Sequence, residues 1–236
     1  MLKLFWAPGT CALASHIALE EAGAMYETAR LDFSRGDQRK PDYLKVNPKG
    51  RVPALITGHG ILTETPAILA WIAQTYPQAN LAPTDLFGFA TAQAFNSYLC
   101  STVHPAHAHR PRAARWSDDP AAQETMRAKV PQNMSECFTL IENEMLKGPW
   151  VMGADYSICD PYLYTISGWL ASDGVDIAKF PRVLDHFNRM NERAAVKAVV
   201  ATGGLASIVV PHSSTITNHE PDLTLVGLRL LFDRNA

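Results

Sequence analysis

Cys11 occupies a position that favours sulfur chemistry. It follows the turn-forming Ala7-Pro8-Gly9 and precedes Leu13, Ala14, Ile17 and Ala18, apolar residues at helical spacing. Thr10 is expected to cap that helix, which places Cys11 in its first turn. There the unpaired backbone N–H groups and the helix dipole favour a thiolate over a thiol. A free cysteine is also commonly a small buried hydrophobe. After Pro8-Gly9 a helix start is a poor place to hide a side chain, and both readings stand at this point.

Three further constellations could serve a ligand. Val52-Pro53 follows the turn-rich Asn47-Pro48-Lys49-Gly50-Arg51. A proline entering a strand lies at an edge, and with a cis bond it would leave the Val52 backbone free to pair with a peptide-like ligand; a trans edge proline is the plainer alternative. Thr63-Glu64-Thr65-Pro66 ends a strand and opens a helix. Its backbone and hydroxyl donors can take a carboxylate and Glu64 an ammonium group, together the charged ends of an α-amino acid; simple capping by Thr65 is the alternative. His104, His107 and His109 lie on a segment broken by Pro105 and Pro111 with no carboxylate or cysteine among them, which argues against a metal site. His104 is expected to donate a hydrogen bond into a cleft, while His107 and His109 are expected at the surface. Trp116 and Trp169 are candidate walls of an apolar pocket, with core or partly exposed packing as the plainer alternative.

The elements that must position these groups differ between the two halves. Strand-like segments at Leu2–Trp6, Tyr26–Asp32, Val52–Thr57 and Ile61–Glu64 alternate with helical patterns at Cys11–Ala22 and Pro66–Tyr76. Asp37–Val46 is short and helical at best. Gly23 is placed to end the first helix, and Gly58-His59-Gly60 to turn a hairpin. Residues 1–78 therefore read as an α/β unit with a four-stranded mixed sheet. After a linker at residues 79–85, helical patterns dominate at Leu86–His104, Asp119–Leu146, Ile158–Ala171 and Val183–Val200, so residues 86–205 read as all-α. Pro131 is expected to kink or split its helix. Ser157 and Asp160 have capping-box spacing, read as a structural helix start. Residues 206–236 form an extension of no assigned role.

A net charge of −2 gives no reason to expect nucleic acid or an anionic membrane surface as a partner. No apolar run approaches the ~20 residues of a membrane span. Leu2–Trp6 is too short for the core of an export signal, so a cytoplasmic location is expected. Cys11, Cys100, Cys137 and Cys159 are widely spaced without a C-x-x-C pair, and Cys100, Cys137 and Cys159, in mostly apolar helical contexts, read as reduced thiols. The missing pair also argues against a thioredoxin-type oxidoreductase.

Ala7-Pro-Gly-Thr-Cys11 with Ser15-His16, Asn47-Pro-Lys-Gly-Arg-Val-Pro53, Leu62-Thr-Glu-Thr-Pro-Ala-Ile68, Ser101-Thr-Val-His104, and Ser157-Ile-Cys-Asp160 before Gly168-Trp169 follow one another in order. Over roughly residues 1–203 the chain resembles the cytosolic glutathione transferases, most closely the bacterial beta class. The resemblance implies a thioredoxin-like N-terminal domain that binds glutathione as co-substrate, an all-helical domain that builds the second-substrate pocket, and a homodimer. Carried over by residue, it places Cys11 at the glutathione sulfur and Val52 against the tripeptide backbone before a cis Pro53. It puts Glu64 and Thr65 at the γ-glutamyl end, Arg35 as a basic contact, and Ser101 with His104 reaching in from the helical domain. Pro105 stands where a lysine is common, Ser97 where an asparagine is usual, and the loop Ser34–Arg39 is a residue short. The implied reaction is attack of the glutathione thiolate on an apolar electrophile, as in detoxification, with Cys11 either orienting that thiolate or forming a mixed disulfide for thiol–disulfide exchange. The alternatives are a specialised glutathione-dependent enzyme that cleaves aryl ethers or displaces halide, and a non-catalytic ligand- or partner-binding protein of the same fold.

Overall fold

The computed structural model describes residues 1–202, with side chains to residue 200. The sheet has order β2-β1-β3-β4, from β1 (Leu2–Trp6), β2 (Tyr26–Arg30), β3 (Ala54–Thr57) and β4 (Gly60–Thr63). β2 runs parallel to β1, and β3 and β4 are antiparallel to their neighbours, so the sheet is mixed. Parallel pairing of β1 with β2 requires a crossover, which α1 (Ala12–Glu21) supplies. Leu4 and Leu55 pair in register and both are fully buried.

α1 is buried on more than one face, from Ala12 and Ala14 to Leu19, because the sheet covers one side and helices of the C-terminal half the other. That double burial explains why even Ser15 and His16 in its middle are buried. Gly23 at φ +62° ends it: its N–H bonds Glu20 O at 3.0 Å, while Ala24 N–H bonds Leu19 O at 3.1 Å. Buried His16 contacts the rings of Trp6 and Tyr26. Thr10 does not cap the helix. Its hydroxyl instead donates to Ala7 O at 2.6 Å and closes the preceding turn. α2 (Pro41–Val46) is short, and α3 (Thr65–Thr75) returns across the sheet.

The C-terminal half is helical. α4 (Leu86–Tyr98) runs through a π-helical turn at Leu99–Val103 directly into α5 (His104–Ala108). Pro105 has no N–H to give the residue four positions back, and the widened turn, with His104 N–H bonded to Leu99 O, absorbs that loss. Pro131 neither splits nor ends α6 (Pro120–Leu140), which continues past it. α7 (Cys159–Ser167) is shorter than the sequence pattern, and the 183–200 pattern is two helices, α8 (Pro181–Glu192) and α9 (Ala194–Thr202), parted at Arg193. Residues 203–236, including the extension, lie outside the described residues.

α7 begins on a buried polar node. Asp160 accepts from Val151 N at 2.8 Å, Ser157 N at 2.7 Å and Ser157 Oγ at 3.1 Å, and His186 Nε2 lies 3.0 Å from it. Ser157 Oγ accepts from Cys159 N at 3.2 Å, so the capping box is formed and extended to α8. The halves are joined by α1 against α7 and α9, by Ile158 N–H bonding Leu81 O at 2.7 Å, and by Arg193, which pairs with Glu21 and lies 3.8 Å above the Tyr156 ring.

Candidate functional site

A cleft between the halves has two connected lobes of about 330 and 370 Å³. Cys11, Arg51, Val52, His104, Arg112 and Arg115 border both. Four segments of the sheet half supply one wall: the turn before α1, residues 33–39, the loop before β3, and the start of α3. The α4–α5 run, residues 112–116, Tyr162 and Trp169 supply the other.

Cys11 lies at the floor of this cleft, just ahead of α1, and is only 8% exposed. Its Sγ is 3.6 Å from Val52 O, to which the thiol donates. Burial pushes its pKa up; a hydrogen bond with Thr65 and the charge of Arg112 act the other way but do not overcome it. The thiolate expected from the helix start is therefore not what the fold favours. Desolvation outweighs the dipole because the neighbouring Val52 and the α3 start close over the sulfur.

The loop that carries Val52 is pinned at the carbonyl of Arg51, which accepts from Tyr43 Oη at 2.5 Å and Asn47 Nδ2 at 2.7 Å. Gly50 is required there: φ is +59°, and a Cβ would stand 2.9 Å from Gln38 O. The Val52–Pro53 peptide is cis. Val52 and Pro53 both line the cleft.

Glu64 precedes α3 with φ +73°, a conformation rare for a residue with a side chain. Its carboxylate pairs with Lys49, whose Nζ also donates to Thr63 Oγ1 at 2.7 Å. Thr65 is buried at the first turn, so Glu64, the Thr65 hydroxyl and the open helix N-terminus face the same lobe. Ser101 and Arg35 are both exposed and line neither lobe. The basic residue that the 33–39 segment brings to the cleft is Arg39.

His104 accepts through Nε2, which leaves the N–H donor of its neutral ring on Nδ1. Its Nε2 is 3.1 Å from Arg112 Nη2, a group with only protons to give. Burial, reinforced by Arg112 and other nearby charges, lowers its pKa to about 3, so it is neutral. Its ring meets Trp169 edge-on at 4.9 Å. His107 is not a surface residue. It is buried, its ring stacks on Trp169 at 4.4 Å, and its Nδ1 lies 2.9 and 2.8 Å from the two oxygens of fully buried Asp173. The partner is 66 residues away in sequence, which is why no local pattern signals it. His109 is half-buried and stacks on Trp116 at 4.1 Å. Trp116 lines one lobe and Trp169 the other. Among the described residues no cluster of three or more His, Cys, Asp or Glu is placed to hold a metal.

Arginine is the largest element that sequence reasoning missed. Arg39, Arg51, Arg112 and Arg115 all border the cleft, close enough that their charges are mutually felt. Among the described residues none of them forms an ion pair with a carboxylate, and Glu64, the acidic residue of the lining, is already paired with Lys49.

A thioredoxin-like sheet domain carrying a cysteine at the first helix, followed by helices that close a cleft over it, defines a class of two-part thiol-handling proteins. The family model of the glutathione S-transferase N-terminal domain matches residues 1–74. Glutathione S-transferase GstA of Escherichia coli O157:H7 is 31% identical over 209 residues, 86% of this chain and 100% of that protein. The crystal structure of a glutathione transferase homolog from Sulfitobacter with bound glutathione aligns at TM-score 0.82 and 46% identity, covering 84% of this chain and 96% of that one. A bacterial beta-class glutathione S-transferase from Sphingomonas chungbukensis aligns at TM-score 0.76 and 33% identity, over 86% and 99% of the two chains. The chain belongs to the glutathione S-transferase family, whose defining co-substrate is glutathione.

Proposed function

We propose that this protein is a beta-class enzyme that joins the glutathione thiolate to an electrophile in the cleft between its halves. The observation that carries this reading is the convergence of Cys11, Val52 with cis Pro53, and the Glu64–Thr65 helix start on one cleft. Glu64 would take the γ-glutamyl ammonium group and the α3 N-terminus its carboxylate. The Val52 backbone would pair with the tripeptide, bringing its sulfur to Cys11. Arg39, rather than Arg35, is the basic side chain available to the glycyl carboxylate.

Catalysis then rests on keeping the glutathione sulfur ionised and close to its target. Arg112 supplies positive charge beside Cys11, and the first turn of α1 adds its dipole. With its own pKa raised, Cys11 stays a thiol and serves as an S–H donor to the incoming thiolate. Direct conjugation needs only that donor, whereas mixed-disulfide exchange needs Cys11 ionised. Orientation by Cys11 is thus the better supported of its two roles.

The protein is further proposed to act as a homodimer. Leu86 and Phe87, at the start of α4, are 90% and 84% exposed, an apolar pair that a second copy would cover. Among the described residues no helix is long and apolar enough to cross a membrane. A cytoplasmic, detoxifying role is the proposed setting.

Calorimetric titration with glutathione tests the reading: one site per chain is expected, with affinity weakened at least about tenfold by Thr65→Ala combined with Glu64→Gln. Absence of binding to the intact protein refutes it. Cys11→Ala is expected to retain conjugation within about tenfold and to lose any glutathione-disulfide reductase activity. Complete loss of conjugation would instead make Cys11 indispensable to the chemistry.

A further inference from the structure

The cleft carries more positive charge than glutathione alone can balance. Glutathione with an ionised sulfur has two carboxylates, one thiolate and one ammonium group, a net charge of about −2 near neutral pH. Against it stand Arg39, Arg51, Arg112 and Arg115, none paired with a carboxylate among the described residues. Glu64 and Lys49 cancel one another, and His104 is neutral. Two guanidinium charges are left over.

Arg112 and Arg115 are the arginines that come from the helical half, across the cleft from the proposed glutathione-binding segments. Arg112 is half-buried. Its Nη2 is spent on His104 Nε2, while its Nε is enclosed with no hydrogen-bond partner. A guanidinium withdrawn from water without a carboxylate or a full set of acceptors is costly, unless a bound anion completes it. Trp116 borders the same lobe and offers an aromatic surface beside the two charges. An apolar electrophile would cover the ring but leave the enclosed Arg112 Nε without an acceptor and the exposed Arg115 charge unpaired.

We propose that the second substrate is a carboxylate-bearing electrophile, an activated ring or conjugated alkene, whose carboxylate is held by Arg112 and Arg115. This rests on the glutathione-transfer reading and specifies its other substrate. The two arginines grip the carboxylate, Trp116 covers the unsaturated carbon frame, and the reacting carbon faces the sulfur above Cys11. On an aryl chloride the thiolate sulfur forms the C–S bond, and chloride departs with the electron pair of the broken C–Cl bond. On a conjugated alkene the sulfur adds to one carbon, and the adjacent carbanion takes a proton from water.

The test compares 4-chloro-3,5-dinitrobenzoate with its methyl ester, each kcat/KM divided by the uncatalysed rate with glutathione. The wild-type ratio of acid to ester is expected to exceed about tenfold. It should fall at least about fivefold in Arg115→Gln and further in Arg112→Gln, and recover in part in Arg115→Lys. Added salt should lower turnover of the acid more steeply than that of the ester. Circular dichroism and glutathione titration of each variant check fold and co-substrate binding. A wild-type ratio near one or below, with glutathione still bound, overturns the inference and leaves glutathione transfer intact. A high ratio that both glutamine variants preserve overturns the assignment to these arginines. Loss of glutathione binding in the wild type would instead overturn the reading beneath it.

Discussion

Asp160 anchors the helical half, and its removal has a cost that can be worked from the structure. The carboxylate is fully buried and has four neighbours within 3.1 Å: the Val151 and Ser157 N–H groups, the Ser157 hydroxyl and His186 Nε2. Asp160→Ala removes the carboxylate these groups share and leaves two backbone donors enclosed with nothing to bond. Each such donor costs about 1–3 kcal/mol, and each hydrogen bond lost from a carboxylate about 1.5–3 kcal/mol. These are overlapping accounts of one node, so the expected loss is about 3–5 kcal/mol in all. At ~2–4 °C per kcal/mol for a domain of this size, Tm should drop by about 10 °C. Urea denaturation and thermal melts at one fixed protein concentration would measure it, since a dimer's Tm shifts with concentration. His186→Ala and the double variant complete a cycle, in which coupling above about 1 kcal/mol is expected because the two side chains share a contact. A loss below about 1 kcal/mol for Asp160→Ala would refute the account of the node as the organiser of α7 and α8.

Two further predictions follow from burial and exposure. Burial lowers the His16 pKa from 6.5 to about 4, so the native state stays unprotonated where the unfolded chain takes up a proton. Stability should therefore fall as pH drops from about 6.5 toward 4, with this residue contributing about 3 kcal/mol of the loss. His16→Gln should flatten that limb in pH-dependent urea melts, and an unchanged limb would count against the assignment. Leu86→Glu with Phe87→Glu should convert the proposed dimer to a monomer in light scattering while leaving the far-ultraviolet circular dichroism spectrum unaltered. A dimer that survives both charges is held by another face.

How much of this was readable beforehand depended on the range of each signal. The strand–turn–helix around Cys11, the loop leading to Val52-Pro53, the helix start at Glu64–Thr65 and the Ser157–Asp160 box are each written within a few adjacent residues. Gly23 ended α1 as its sequence position implied, through its positive φ. The same local reasoning misjudged Thr10, because capping was judged from residue type, whereas the hydroxyl found Ala7 O first. Pro131 does not split α6, and the run through Pro105 continues by a π-helical turn into α5. A missing N–H limits only one turn, and packing along the rest of a long helix outweighs it.

The sequence by itself determined which residues could cap, turn and pair, since backbone geometry and side-chain hydrogen bonding act between near neighbours. Only the tertiary structure decided their states. Cys11 is a thiol because the fold buries it, with the Val52 carbonyl, 41 residues further along the chain, accepting from its sulfur. His107 is buried because Trp169 and Asp173 arrive on a later segment. The arginines become one charged wall only when Arg39 and Arg51 from the sheet half face Arg112 and Arg115 from the helices. Desolvation and Coulomb interaction depend on distance through space, and that distance is set by the fold rather than by position in the chain.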